Sequence, residues 1–307
     1  MLNAVLRRAI LAAADSPELQ RFVKRYGMRF GASRFVAGET LDAAVPVLRR
    51  LNGAGLLTNT TLLGEHVASA ERTSRVVEVY EEILHRIQSE RLATNVALKL
   101  THLGLDLDPE LAYRNVEQVV SAAAACANFI RVDMEESRWV GPTLAIYRRL
   151  REAGHDNVGI VLQSYLYRSE ADLRSLLPLG PNVRLVKGAY LEPPETAHPR
   201  KEAVDASYVR LLELSLGGAG FTAVATHDER LIEHAIRFAE RERIPRERFQ
   251  FQMLYGVRPQ LQRRLAQHGY SVLVATPYGP DWYPYLMRRL AERPANTLFF
   301  LRALVRG

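Results

Sequence analysis

Two adjacent arginines, Arg288 and Arg289, sit in the segment YGPDWYPYLMRRLAERP, with Tyr285 three and four residues ahead of them and Glu292 four and three behind. On a helix that spacing gathers an aromatic ring, a guanidinium pair and a carboxylate on one face. Arginine presents paired planar donors that match a carboxylate. The segment therefore suits the grip of a small acid. A solvated basic helix end would look the same, because arginine also favours the helix dipole there. What decides between the two is where the rest of the chain puts its polar side chains.

The elements that must position this segment alternate from about residue 55 onward. Short β-branched or apolar runs, bounded by turn residues, predict strands at Gly55–Leu63, Asn95–Leu100, Phe129–Asp133, Gly159–Gln163, Val183–Lys187, Phe221–Ala225, Phe249–Met253 and Ser271–Thr276. Helical periodicity lies between them, at Glu71–Gln88, Glu110–Ala127, Gly141–Ala153, Glu202–Leu216, Asp228–Arg243 and Arg258–His268. Asp228 and Ser169 read as N-caps. Eight such units fit an α/β fold of the (β/α)8 barrel kind. An open doubly wound sheet would usually bring a glycine-rich phosphate turn; the run LGGAGF at Leu216–Phe221 follows a helix and precedes a strand, the wrong order for one.

Residues 1–50 read as a helical arm packed on a barrel domain of residues 51–307. The arm breaks near Asp15–Pro17 and Gly27–Gly31, and its last helix starts at Thr40, a cap residue, with Pro46 inside the pattern. The segment holding the arginine pair follows the eighth strand and would lie over the barrel mouth.

Barrel chemistry sits at the carboxyl ends of the strands, and here those ends are polar. They carry Lys99 and Thr101, Asp133 (with Arg131 inside the strand), Gln163, Arg184 and Lys187, Thr226 and His227, Gln250 and Gln252, and Tyr278. Each has a bland alternative: a solvated loop residue, a polar layer inside the barrel, or, for His227, a group that helps open the next helix. Convergence from seven strands points to use, because inward ionised groups are costly unless paired. The set contains no nucleophile beside a histidine, no HExxH and no carboxylate pair of glycosidase type. Most of its members are donors, which suits an anionic or electron-rich partner and a carboxylate substrate.

The 307 residues are 48% hydrophobic and 24% charged, with a net charge of +7, an ordinary globular balance. Of 41 basic residues four are lysine (Lys24, Lys99, Lys187, Lys201), leaving 37 arginines. They are scattered, without a basic tail or aromatic-interleaved strip, so nucleic acid is not an expected partner; a modest attraction to anionic headgroups stays open. The single cysteine, Cys126, reads as helix packing. The N-terminal segment reads as an amphipathic helix rather than a signal peptide, and no apolar run reaches bilayer-spanning length. The expected location is cytoplasmic, with peripheral contact at the inner membrane face open.

In this order, LLGE (Leu62–Glu65), LKLTHLGLD (Leu98–Asp106), RVDMEE (Arg131–Glu136), GIVLQSYL (Gly159–Leu166), RLVKGAY (Arg184–Tyr190), ATHD (Ala225–Asp228), FQMLYG (Phe251–Gly256) and the RRLAERP segment resemble the proline dehydrogenase family of flavoenzymes. Each string alone is weak, but eight in order are specific. The resemblance implies a distorted barrel holding FAD that oxidises L-proline to 1-pyrroline-5-carboxylate and passes electrons to a membrane quinone. The catalytic groups would be Asp133, paired with Lys99, and Arg184, beside the flavin ring. Arg288 and Arg289 would bind the proline carboxylate, with Glu65 paired to Arg288. Tyr278, Tyr285 and Leu254 would pack on the five-membered ring, and Tyr278 would crowd a ring hydroxyl, favouring proline over hydroxyproline. Met134 and Gln163 would touch the isoalloxazine. Lys187, Gly188 and Ala189 would hold the pyrophosphate and ribityl region, and Thr226, His227 and Glu292 the remainder of the cofactor.

One departure stands out. Relatives usually carry aspartate before the LLGE string, where this chain has Thr61. That bears on the local network of the first strand. Two other readings compete: a different FAD barrel, such as a methylenetetrahydrofolate reductase, and a non-catalytic barrel that binds or scaffolds.

Overall fold

The computed structural model describes residues 16–28 and 31–292, with backbone alone at 17–19, 22 and 288–292. Eight parallel strands pair in chain order and close through the first and last. They are β1 (Leu57–Leu62), β2 (Thr94–Leu98), β3 (Ile130–Val132), β4 (Val158–Gln163), β5 (Asn182–Val186), β6 (Phe221–Ala225), β7 (Phe249–Leu254) and β8 (Val272–Tyr278). Closure excludes the open sheet and bears out the barrel reading. Each strand falls within two residues of its predicted start and end.

Between the strands run amphipathic helices whose apolar stripes cover the barrel. Helix Ala70–Ser89 buries Val77, Tyr80, Ile83, Leu84 and Ile87, and helix Glu229–Arg241 buries Leu231, Ile232, Ala235 and Phe238. Asp228 caps the latter through the Arg230 amide, and Thr40 caps helix Leu41–Gly53, which accommodates Pro46. Ser169 is not a cap. It is the first residue of helix Ser169–Leu176, and its hydroxyl donates to the Gln163 carbonyl at 2.6 Å instead. Among the described residues no helix is long and apolar enough to cross a membrane.

Side chains alternate across each strand with period two. Asn59 and Thr61 of β1, Arg184 of β5, Gln252 of β7, and Ala275 and Pro277 of β8 face inward, and all line one cavity. Their strand neighbours face the helices. Thr222 of β6 meets Ser215 of helix Lys201–Gly217 at 2.8 Å.

A second, smaller apolar cluster joins the arm to the helix Trp282–Glu292. Val23, Phe35 and Val36 pack with Trp282, Leu286 and Met287, and with Leu63 and Val257 from the barrel rim. The Trp282 indole donates to Glu39 at 2.7 Å, and the Ala37 amide donates to the Pro277 carbonyl at 2.8 Å. The arm thereby fixes the helix that carries Tyr285, Arg288 and Arg289.

Gly256, in the loop after β7, lies under this arm with φ of 74°. A Cβ there would stand 1.8 Å from the Arg34 carbonyl oxygen. We predict that Gly256→Ala loses more than the ~1–3 kcal/mol that a left-handed alanine costs alone, because the arm must also shift. Urea denaturation measures it; an unchanged midpoint would contradict the arm's docking.

Candidate active site

The carboxyl ends of the strands open into a cavity of about 770 Å³. Its floor is organised by Arg184, whose side chain is nearly buried. The Nε donates to Gln252 at 2.6 Å, one terminal nitrogen to Asp133 at 2.8 Å, and the other to Asn59 at 3.2 Å. Residues of β1 and β7 and the one that follows β3 thus converge on one guanidinium. The network runs on: Gln252 donates to Gln250 at 2.8 Å, Gln250 to Ser271 at 2.8 Å, and Asn59 to Asn95 at 2.5 Å. The two glutamines therefore form a polar layer within the barrel as well as part of the cavity wall. Burial draws the Arg184 guanidinium below its usual range, and the Asp133 carboxylate opposes that shift.

Lys99 does not pair with Asp133. It pairs with Glu65 in the loop after β1, because the Arg184 fork already holds Asp133 from across β4. Glu65 thus stays at the rim, though not on the cavity wall. The side chains of Arg288, Arg289 and Glu292 lie outside the described residues, so neither the clamp nor a Glu65–Arg288 contact is described.

Gln163 donates to the carbonyls of Met134 and Glu135 at 3.5 and 3.3 Å. Among the described residues its Oε1 is buried with no hydrogen-bond donor. An acceptor of that kind on a cavity wall suits a ring N–H of a bound heterocycle. Met134, Leu254 and Tyr285 line the same cavity.

At the β5–β6 rim three cations meet two carboxylates. Lys187 contacts Asp205 at 2.6 Å and Asp228 at 3.2 Å. Lys201 joins Asp205, and Arg230 reaches Asp228 at 3.4 Å. The surplus positive charge lies at the N-terminus of helix Glu229–Arg241, a setting that favours phosphate oxygens. Thr226 accepts the Asp228 amide at 3.2 Å, and the His227 Nε2 accepts the Leu254 amide at 3.0 Å. Gly188 has φ of 116°, and a Cβ there would strike the Tyr165 ring at 2.2 Å. Glycine is needed at this position for tyrosine packing as well as for a thin cavity wall. The donor surplus, the buried Gln163 acceptor and the thin wall fit a dinucleotide with a heterocyclic ring.

Tyr278 is placed differently from expectation. It ends β8 one residue past Pro277, so its side chain has outward parity. It is paired in register with outward Leu62 and lies in a separate groove with Val79, Glu82 and His85. Burial, then the Glu82 charge, pushes its phenol up. It does not reach the cavity, and the crowding of a ring hydroxyl does not come from it. Tyr285 and Leu254 remain as ring contacts. Thr61 does line the cavity, facing Pro277 across the β1–β8 seam.

Several residues of the cavity and of the ion-pair cluster at its rim are absent from the sequence-based set. Asn59 is legible by period-two alternation along TNTT, and Lys201 is one of four lysines. Asp205, one turn after Lys201 at the i, i+4 position, shows its role only once the barrel closes.

A closed (β/α)8 barrel with a donor-lined mouth, a buried arginine paired with a carboxylate and a cationic rim suits an anionic ligand. The model of the proline dehydrogenase family matches residues 44–302. The chain is 41% identical to proline dehydrogenase 1 of Bacillus subtilis (strain 168) over 302 residues, covering 98% of this chain and 100% of that one. It is 39% identical to the proline dehydrogenase of Deinococcus radiodurans over 311 residues, 100% of both. Among solved structures, proline utilization A from Bdellovibrio bacteriovorus, inactivated by N-propargylglycine, superposes with a TM-score of 0.81 at 25% identity. That match covers 89% of this chain and 33% of the longer one. The chain belongs to the proline dehydrogenase family.

Two predictions test this geometry. Arg184→Met leaves the part-buried Asp133 carboxylate unpaired and should cost ~1.5–3 kcal/mol, read by urea denaturation; a loss under ~1 kcal/mol would show that the fork is not structural. Partial burial pushes the Asp228 carboxyl up, but hydrogen bonds from Arg230 and Lys187 outweigh it and hold the group at about 2, below its ordinary 3.8. Its contribution is therefore full above pH ~4 and lost as pH falls through about 2. Asp228→Asn should flatten the loss of stability between pH 4 and 2; an unaltered acid limb would rule out that ion pairing.

Proposed function

We propose that this chain oxidises L-proline to 1-pyrroline-5-carboxylate, the first step of proline catabolism, with FAD as the immediate oxidant and a quinone as the onward acceptor. FAD, when bound, supplies the acceptor for the hydride that leaves C5 of proline. The observation that carries the reading is the cavity itself: one wall has a buried acceptor at Gln163 with no partner among the described residues, and the floor holds a fixed Arg184–Asp133 pair at 2.8 Å. Family membership over nearly the whole chain supports the substrate.

In this proposal Lys187, Lys201 and Arg230 hold the cofactor's phosphates, exchanging contacts with Asp205 and Asp228 as they do so. Gly188, Ala189, Thr226 and His227 line its path, and Glu292 completes it. Met134 and Gln163 face the ring system. Arg184 places positive charge where electron density collects on reduction, a preorganised stabilisation. Arg288 and Arg289 bind the proline carboxylate, and Tyr285 and Leu254 hold the ring flat. Asp133 and Lys99 fix the charge at the substrate's edge. Positioning of this kind is worth up to ~7–11 kcal/mol. Proline reacts with its nitrogen unprotonated; no described side chain is placed as a strong base, so solvent takes the amine proton.

Purified protein reconstituted with FAD should be yellow, and anaerobic L-proline should bleach it. Bleaching by a reduced nicotinamide but not by proline would overturn the reading in favour of a reductase. Arg289→Met should raise the Michaelis constant for proline tenfold or more, as loss of a charge-assisted bond of ~1.5–3 kcal/mol requires; an unchanged constant would remove the carboxylate clamp.

A further inference from the structure

Two arginines cross β4 in opposite directions inside the barrel. Arg184, on β5 and level with Val161, reaches back to Asp133, the residue after β3. Arg131, on β3 and level with Gly159, reaches forward to Asn182 on β5. Along their strands Arg131 lies two residues before Asp133, and Asn182 two before Arg184. Both residues of each strand therefore share the inward face, and the Arg131 guanidinium forms the layer beneath the Arg184–Asp133 pair. Gly159 makes the crossing possible: a Cβ there would stand 2.4 Å from the Arg131 Nη1 and 2.6 Å from the Phe129 ring.

The two guanidiniums are compensated differently. Arg184 has a carboxylate. Arg131 is 2% exposed and donates to neutral acceptors: the Ile160 carbonyl at 3.0 Å, the Asn182 carbonyl at 2.7 Å and the Asn182 Oδ1. The Phe129 ring lies 5.0 Å away, and the Nε is buried without an acceptor. Among the described residues no carboxylate pairs with it. Burial, then the Arg184 charge, brings the group down to about 9, so it keeps its charge at neutral pH. A buried charge without a counter-ion is expensive, and an apolar side chain would plug the barrel floor at lower cost.

We propose that Arg131 is a positioning residue of the oxidation: its unneutralised guanidinium keeps the cavity floor electropositive and raises the reduction potential of the flavin bound above it. The proposal rests on the flavin chemistry proposed above. A unit charge acting over ~10 Å at an effective dielectric of ~20 shifts an equilibrium by roughly tenfold or more, without touching the cofactor. The charge acts through the Arg184 layer, so the residue itself meets neither substrate nor ring.

The test is the midpoint potential of the bound flavin, read anaerobically against a reference dye, in the FAD-loaded protein and three variants. Asn182→Asp keeps the guanidinium and its hydrogen bonds but supplies a counter-ion. Arg131→Met removes the charge, and Arg131→Lys retains it. Asn182→Asp and Arg131→Met should each make flavin reduction about tenfold less favourable, about 30 mV for a two-electron couple, and Arg131→Lys should stay near wild type. Asn182→Asp keeps the test decisive if Arg131→Met does not fold, because neutralising the charge leaves the plug in place. A yellow wild type whose potential is unmoved by Asn182→Asp would overturn this proposal alone. A wild type that takes up no flavin would overturn it together with the function it rests on.

Discussion

Arg184 carries a charge into the middle of a closed barrel, where a guanidinium costs several kcal/mol unless its donors are met. The structure meets them from three directions, with Asp133 just after β3, Asn59 on β1 and Gln252 on β7. That requirement propagates. Gln252 needs Gln250, and Gln250 needs Ser271. The interior of this barrel is therefore polar through its depth on the β7–β8 side, whereas an ordinary (β/α)8 interior is filled by branched apolar residues. Small residues complete the arrangement: Gly159 and Ala223 are the inward neighbours of the two arginines on β4 and β6.

The same fork fixes the site. With Asp133 committed to Arg184, Lys99 turns to Glu65 and ties the loop after β1 to the mouth. On the opposite rim the three cations around Asp205 and Asp228 keep a surplus of positive charge near a helix N-terminus. Between these lies a wall of Met134, Gln163, Leu254 and Tyr285. Tyr285 is held there by a helix whose buried face, Trp282, Leu286 and Met287, packs on the arm. None of the arm's described residues lines the cavity; the arm instead fixes the angle at which the C-terminal helix meets the barrel.

Local pattern carried the sequence reading of the fold because each strand is a short apolar or β-branched run between turn residues, and each long helix has its own stripe. Where local pattern was not enough, a specific physical reason can be given. Tyr278 is aromatic and ends a strand, which suggests a substrate wall, but period-two parity from Pro277 sends it outward. Ser169 has the chemistry of a cap, yet a carbonyl six residues back takes its hydroxyl. The Lys99 partner depends on which strand's cation reaches Asp133 first, a choice made 51 residues away at Arg184. Asp205 is a plain helical aspartate until β5 and β6 bring Lys187 and Asp228 beside it. Arg131 was visible as a charge in a strand; its lack of a counter-ion appears only when β3, β4 and β5 are laid side by side.

The central claim is that Arg184 and Asp133 act as one unit that organises the site. A double-mutant cycle on the rate of anaerobic flavin reduction by proline tests it most directly, using Arg184→Lys, Asp133→Asn and the pair together. Strong non-additivity is expected, with the double variant little slower than the worse single one and a coupling of at least ~1.4 kcal/mol, or about tenfold. Rate losses that simply multiply would mean that the two residues work independently, and would contradict it.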